Sequence, residues 1–211
     1  MKFKILYFVV LSIITINTAN GQISGLTRQV DSLLSIQTEK PFNGIVLITQ
    51  NGETVYSKVC GYSDFGNEIP LKINDQFVVG SISKQFTAVI VLREYDKGHL
   101  ELHLPIKKYL PDLSEQWADT VTTHHLLTHT HGIVALDKPA LFAAGTQFSY
   151  SQIGYDLLAE IIEKTSEKSF IELSDELFKE CGMHHTFHPD LKEYKNLVKG
   201  HIENDEGKPV Y

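Results

Sequence analysis

The stretch Phe77–Gly98 constrains the fold more than any other part of this 211-residue chain. A short β-prone run at its start meets the step Gly80-Ser81, and a helical pattern follows. Gly98 is well placed to end that helix. Residues 88–92 are apolar nearly all round the helix. Such a helix is usually buried in the middle of a domain, and we expect the same of this one.

Ser81 and Lys84 stand three residues apart at the start of the predicted helix, so their side chains share one face. A serine is a weak nucleophile unless a base removes its proton. An amine beside an apolar helix is partly desolvated, which makes it a usable base. The Ser81 backbone N–H could also form half of an oxyanion hole. The alternative is that Ser81 only caps the helix, because serine is a common N-cap residue.

Residues 1–21 resemble a secretory signal. Lys2 and Lys4 precede an apolar run over residues 5–16 that is too short to span a membrane. The small residues Ala19-Asn20-Gly21 then predict cleavage before Gln22. We therefore expect an exported protein, periplasmic or secreted, without a membrane anchor after cleavage.

Charge and cysteine content exclude several partners. Residues 22–211 contain 17 Lys and Arg against 26 Asp and Glu, a net charge of −9. This charge argues against nucleic acid and against anionic membranes as partners. Cys60 and Cys181 are the only cysteines and give no zinc spacing. Export would allow them to pair, but two free, buried thiols are favoured.

The remaining sequence predicts one hairpin and several helices. Residues 23–34 have apolar positions at helical spacing, and residues 42–50 and 54–59 are β-prone on either side of Asn51-Gly52, a type I′ turn signal. This pattern predicts a hairpin packed on an N-terminal helix. Further helices are predicted from Thr122 or Thr123 to Gly132, over 151–164, and over 170–180.

Four segments, in order, resemble landmarks of the serine β-lactamase and penicillin-binding protein family, in its class C β-lactamase, DD-carboxypeptidase and esterase branch. They are Phe77-x-x-Gly80-Ser81-x-Ser83-Lys84-x-Phe86, His125–Gly132 with His131 where serine is usual, Phe148–Leu158, and Gly182-Met183-x-x-Thr186. The resemblance implies an α/β (α+β) fold, with an antiparallel sheet packed by helices and an all-helical subregion. Residues 22–211 would form one partial domain of this kind.

The resemblance also implies a mechanism. Ser81 would attack a carbonyl carbon and form an acyl-enzyme, while Lys84 and the Tyr150 hydroxyl move the proton. Gln152 stands at the substrate-binding position, where the family has Asn, and its amide reaches one carbon further. The substrate would be a β-lactam, a peptidoglycan-derived peptide or an ester, and no cofactor is implied. The alternative for Tyr150 is a buried aromatic residue with a satisfied hydroxyl.

The family's third motif, Lys-Thr-Gly or His-x-Gly on a late strand, has no counterpart after Gly182. Lys164-Thr165-Ser166 is similar by letters but closes a predicted amphipathic helix. We therefore expect the chain to hold the first half to two-thirds of a family domain. It would lack several strands and one oxyanion donor, and would be a poor catalyst.

Two other functions remain open at this point. The chain could be a catalytically inactive relic or a binding module that keeps the helical half of the fold. Alternatively, a metal site could be built from the cluster of His124, His125, His129 and His131, in which His125 and His129 have i, i+4 spacing. No Glu follows His125, as a metalloprotease would need, and structural hydrogen bonding is favoured for these histidines. Oligomeric state stays open.

Overall fold

A computed structural model of the chain describes residues 25–36, 41–188, 196–200, 202–203 and 209–210. The predicted signal at residues 1–21 lies outside this part. The chain divides into two compact units, one formed by Met1–Val78 with Tyr194–Tyr211 and the other by Val79–Glu193.

The first unit is built on the predicted hairpin. Helix α1 covers residues 25–34, and strands β1 (Gly44–Gln50) and β2 (Glu53–Cys60) pair antiparallel. Asn51 and Gly52 both have positive φ, 54° and 82°, which a type I′ turn requires. The hairpin prediction is therefore confirmed.

Polar contacts hold the pieces of the first unit together. The Tyr56 hydroxyl donates to Asp31 of α1 at 2.8 Å, which joins the hairpin to the helix as predicted. Two further short pairs follow, β3 (Tyr62–Asp64) with β4 (Ile69–Pro70) and β5 (Ile202–Glu203) with β6 (Pro209–Val210). A hydrogen bond from Lys199, and then one from Asn67, lower the pKa of Asp64 to about 2.

The second unit is helical over its described residues. It contains α2 (Ser83–Asp96), α3 (Thr123–Leu127), α4 (Ile153–Ser166) and α5 (Phe170–Glu180), with 3₁₀ turns at Gly80–Ile82, Ile106–Lys108 and Gln116–Asp119. Its core joins α2, α4 and α5 to the connecting loops. The core includes Ile90, Val91, Ile106, Leu110, Trp117, Leu126, Leu157, Leu158, Ile161, Ile162, Leu173 and Leu177. Antiparallel strands together with this helical unit agree with the predicted fold class.

Side-chain caps fix where two of these helices start. The Thr122 hydroxyl accepts from the His125 backbone N–H, and the His125 ring accepts from the Thr122 N–H, so Thr122 is the cap of α3. Ser169 and Glu172 form the equivalent pair for α5. The predicted end of α3 at Gly132 is wrong, because α3 stops at Leu127 and the chain then turns through His129, whose φ is 56°.

The prediction that α2 is buried in the middle of a domain is also wrong. Val89, Leu92 and Tyr95 are all more than two-fifths exposed, because α2 packs on α4 and α5 through its other face. That packed face includes Glu94, which is 1% exposed and is bonded to Lys97 at 2.7 Å and to His99 at 2.6 Å. Burial raises the pKa of Glu94, but these two partners outweigh it and the net pKa is lowered. The β-prone run before Gly80 forms no strand.

Both cysteines are free, but the prediction that they are buried is wrong, since Cys60 is half-buried and Cys181 is exposed. No helix within the described residues is long and apolar enough to cross a membrane.

Candidate active site

Ser81 lies in a 3₁₀ turn, Gly80–Ile82, immediately before α2. Gly80 has a φ of 53°, a backbone conformation that residues other than glycine rarely adopt. At this residue the chain turns into the helix. The N-cap position of α2 is Ile82, and no side chain caps either helical segment. The capping alternative for Ser81 is therefore wrong, and its hydroxyl is available for another partner.

That partner is Tyr150. Its hydroxyl donates to Ser81 Oγ at 2.7 Å, although the two residues are 69 positions apart in sequence. Tyr150 is 56% exposed, so the alternative of a buried aromatic residue is also wrong. Lys84 Nζ lies 5.1 Å from the centroid of the Tyr150 ring and 5.4 Å from that of Tyr155.

The surroundings of the Tyr150 phenol lower its pKa. Hydrogen bonding with Lys84 is the largest cause that lowers its pKa, and the bond with Ser81 is the second. A phenol ordinarily has a pKa of about 10 and is a poor base at neutral pH when protonated. A neighbouring ammonium that lowers this value makes the oxygen better able to accept a proton from serine.

Gln152 completes the group of predicted site residues. Lys84 Nζ donates to Gln152 Oε1 at 2.6 Å. The other end of the amide, Nε2, donates to Asp156 Oδ1 at 3.1 Å. The structure thus brings together Ser81 and Lys84 with Tyr150 and Gln152, although the bonded residues of the two stretches are 68 and 69 positions apart in sequence.

The ring of His129 packs against the ring of Tyr150, with the two centroids 4.6 Å apart. The same ring stacks on Tyr155, with the centroids 5.1 Å apart. The His129 Nδ1 accepts from the Ser151 N–H at 3.2 Å, and the His129 carbonyl accepts from the Ser149 N–H at 2.9 Å. Burial first, and then the charge of Lys84, lower the pKa of His129 and favour a neutral ring. The left-handed turn at His129 therefore fixes the segment that presents Tyr150.

His131 is a buried structural residue rather than a site residue. It is 1% exposed, and its Nδ1 accepts from the Ile133 N–H at 2.9 Å. Its Nε2 has no hydrogen-bond partner among the described residues and faces Gly154, where an added Cβ would lie only 2.5 Å away. Burial lowers the pKa of His131 to about 4, with smaller contributions from His129 and His125.

The described histidines do not support the metal alternative. No group of three or more potential ligands that could hold a metal ion occurs within the described residues. His125, His129 and His131 each use Nδ1 to accept a backbone N–H. These bonds agree with the structural role that the sequence favoured.

Comparison of the chain with known protein families identifies the family to which it belongs. The family model described as Beta-lactamase matches residues 35–201. This chain belongs to the beta-lactamase family. The resemblance seen in the sequence is therefore confirmed.

Relatives of several kinds resemble the chain. It is 31% identical over 187 residues to Penicillin-binding protein 4* of Bacillus subtilis, covering 75% of this chain and 41% of that protein. It is 28% identical over 204 residues to Esterase EstB of Burkholderia gladioli, covering 75% and 52%. The structure of a class C beta-lactamase in complex with cefoxitin is 25% identical, with a TM-score of 0.72 and coverage of 92% and 58%. The chain thus spans about half the length of these relatives.

Sequence reasoning did not identify Asp156 or Tyr155 as neighbours of the site. Asp156 is four residues after Gln152, a spacing that places the two side chains on one helix face and could have indicated their contact. Lys164-Thr165-Ser166 ends helix α4, as predicted, and so is not the strand motif that it resembles by letters.

Proposed function

We propose that this chain is a serine hydrolase of the β-lactamase and DD-peptidase type, which acts through an acyl-enzyme at Ser81. The observation that carries the proposal is the 2.7 Å hydrogen bond between the Tyr150 hydroxyl and Ser81 Oγ, with Lys84 against the same ring. A nucleophile, a proton acceptor and a positive charge that assists the acceptor are the parts that acyl transfer needs.

The proposed reaction has two stages. In the first, the Ser81 proton passes to the Tyr150 and Lys84 pair as Oγ attacks the carbonyl carbon, and the same pair returns a proton to the departing nitrogen or oxygen. In the second, water gives a proton to the pair and attacks the ester carbonyl. The proton then returns to Ser81 Oγ, so the enzyme is regenerated and the acid is released.

The substrate is an acyl compound, either a β-lactam, a peptidoglycan-derived peptide or an ester. The names of the relatives support a β-lactam and an ester, since they include a penicillin-binding protein, an esterase and a class C beta-lactamase bound to cefoxitin. The peptide is proposed from the resemblance of the sequence motifs to the DD-carboxypeptidase branch. Ser81 and Tyr150 are both exposed, so a substrate can reach the nucleophile.

A second candidate is a slow or inactive member of the family that binds rather than turns over its ligand. It is favoured by the composition of the unit that carries Ser81, which contains helices and turns but no strand over residues 79–188. A strand beside the nucleophile would help to align the substrate, and misalignment can reduce a rate by about 10².

Labelling with a fluorescent penicillin tests the proposal. We expect the purified chain to form a covalent adduct that peptide mass spectrometry places on Ser81, and to hydrolyse a chromogenic ester or cephalosporin. Ser81→Ala should abolish both signals, while the matched control Ser83→Ala, two residues away on the same stretch, should retain them. Equal labelling of Ser81→Ala would contradict the assignment, and labelling without turnover would favour the second candidate.

We further propose that the protein is exported, to the periplasm or the medium, with cleavage before Gln22. This proposal rests on the sequence of residues 1–21. N-terminal sequencing of the protein recovered from that compartment should begin near Gln22, whereas an intact Met1 would contradict cleavage.

A further inference from the structure

We propose that Asp156 is a positioning residue, which orients the Gln152 amide so that its carbonyl holds Lys84 beside Tyr150, the hydrogen-bond partner of Ser81. This inference rests on the proposed function and adds to it a residue outside the family's motif. Asp156 does not contact Ser81 or a substrate in this arrangement. It acts through Gln152. Lys84 Nζ donates to Gln152 Oε1, and Gln152 Nε2 donates to Asp156 Oδ1.

The donors and acceptors on either side of Gln152 determine which way its amide faces. An ammonium group has only donors, and an ionised carboxylate has only acceptors. The amide carries one acceptor end and one donor end, so only one orientation satisfies both Lys84 and Asp156. Without Asp156, the NH₂ end would lose its acceptor and the amide could rotate in solvent, since Gln152 is exposed.

The backbone of α4 makes this contact local. Gln152 is the N-cap position of α4 and Asp156 lies in its first turn. Residues at i and i+4 lie on the same helix face, and Gln–Asp pairs at this spacing form hydrogen bonds. The longer side chain of Gln, compared with Asn, can therefore reach Asp156 along the helix and Lys84 across to α2 at the same time.

A simpler role for Asp156 must be separated from this one. An acidic residue in the first turn stabilises any helix through the macrodipole, whatever it touches. Loss of that effect would lower the stability of the protein without changing the acylation step or the environment of one amide. The test therefore compares rate constants and a spectroscopic signal rather than total activity.

The experiment measures labelling by a fluorescent penicillin at several concentrations, which separates the dissociation constant from the acylation rate constant. In parallel, NMR spectra of ¹⁵N-labelled protein record the side-chain amide of Gln152, assigned by its loss in Gln152→Met. Asp156→Ala removes the acceptor and the charge, while Asp156→Asn removes the charge and keeps an acceptor oxygen. The control is Glu160→Ala, which removes an exposed acid one turn further along α4, bonded to Lys164 at 3.1 Å.

We expect Asp156→Ala to lower the acylation rate constant by about ten-fold, the size of one partly screened hydrogen bond to a charged group, with little change in the dissociation constant. The Gln152 amide resonances should shift in the same variant. Asp156→Asn should restore most of the rate, and Glu160→Ala should change neither signal. An unchanged rate in Asp156→Ala, or an equal loss in Glu160→Ala, would overturn the inference.

The inference and the proposed function can fail separately. If the wild-type chain and Ser81→Ala are both unlabelled, the proposed function fails, and the Gln152 resonances alone decide the positioning contact. Resonances that are the same in the wild type and in Asp156→Ala would then overturn it, and shifted resonances would support it. If the wild-type chain is labelled, shifted resonances with an unchanged rate would overturn the positioning role.

Discussion

Gly154 packs directly against the ring of His131. Substitution of this glycine by alanine should lower the free energy of unfolding when the histidine is present and raise it when the histidine is absent. An alanine Cβ at position 154 would lie 2.5 Å from His131 Nε2 and 3.0 Å from Cδ2. Ordinary contacts of a Cβ begin near 3.4 Å, so the first contact is too close by about 0.9 Å. Both residues are buried, and the His131 ring cannot move into solvent.

The expected magnitude follows from two opposing effects. Overpacking of a well-packed interior lowers the free energy of unfolding by about 1–3 kcal/mol. The preference of a helix for Ala over Gly raises it by about 1 kcal/mol. Gly154→Ala should therefore lower the free energy of unfolding by up to about 2 kcal/mol. In a His131→Ser background the clash is absent, and the same change should raise it by up to about 1 kcal/mol. The gain in helix preference is the same in both backgrounds, so the coupling between the two sites equals the overpacking cost, about 1–3 kcal/mol.

The assay is a double-mutant cycle from urea unfolding of the four proteins, with melting temperatures as a second probe. For a chain of this size, 1 kcal/mol corresponds to about 2–4 °C. Gly25→Ala is a matched control, because Gly25 is also helical and nothing lies within 4 Å of its added Cβ. If Gly154→Ala had the same effect in both backgrounds, within about 0.5 kcal/mol, the reasoning would be refuted.

Two further predictions concern pH and the proton path. Because burial depresses the pKa of His131 to about 4 from an ordinary 6.5, the unfolded chain takes up the proton first as the pH falls. The contribution of His131 is thus fully present above pH 6.5, and about 2 kcal/mol of it should be lost by pH 5 in urea unfolding experiments. His131→Ser should remove this part of the acid sensitivity, and an identical pH dependence in that variant would contradict the assignment. Separately, Tyr150→Phe should slow acylation by a fluorescent penicillin by about 10²–10⁴, the usual contribution of a general acid–base group. An unchanged rate would show that Lys84 alone serves as the base.

The parts of the fold with local signals were predictable from the sequence. Asn51-Gly52 specified a turn that needs positive φ at both positions, and the structure has it. The helix predicted over 170–180 is Phe170–Glu180, because Ser169 caps its start and Gly182 follows its end. Residue preferences at turns and caps act over a few positions, so they can be read without knowledge of the tertiary fold.

The burial of α2 was not predictable in the same way. Its apolar residues point in all directions, and only packing on α4 and α5 determines which face is covered. The buried acid on that face, Glu94, is satisfied by Lys97 and by His99 beyond the end of the helix. An apolar count along the sequence cannot anticipate a buried carboxylate whose partners lie beyond the last residue of the helix, Asp96.

The site itself was predicted in part. Family resemblance placed Tyr150 and Gln152 near Ser81 and Lys84, and the structure brings all four together. The contact of Gln152 with Asp156 was missed, since an acid in the first turn of a helix has an ordinary structural explanation. Only the position of Lys84 on the other side of Gln152 makes that acid noteworthy.

The bond between Tyr150 and Ser81 closes a loop of 69 residues. Closure of a loop this long is entropically unfavourable until the elements at both of its ends are docked. In a newly synthesised chain with α2 and α4 formed but not yet packed, Ser81 would therefore lack its Tyr150 partner. Under the proposed function, Ser81 would become reactive only when the helical unit is assembled, and partly folded molecules would not react.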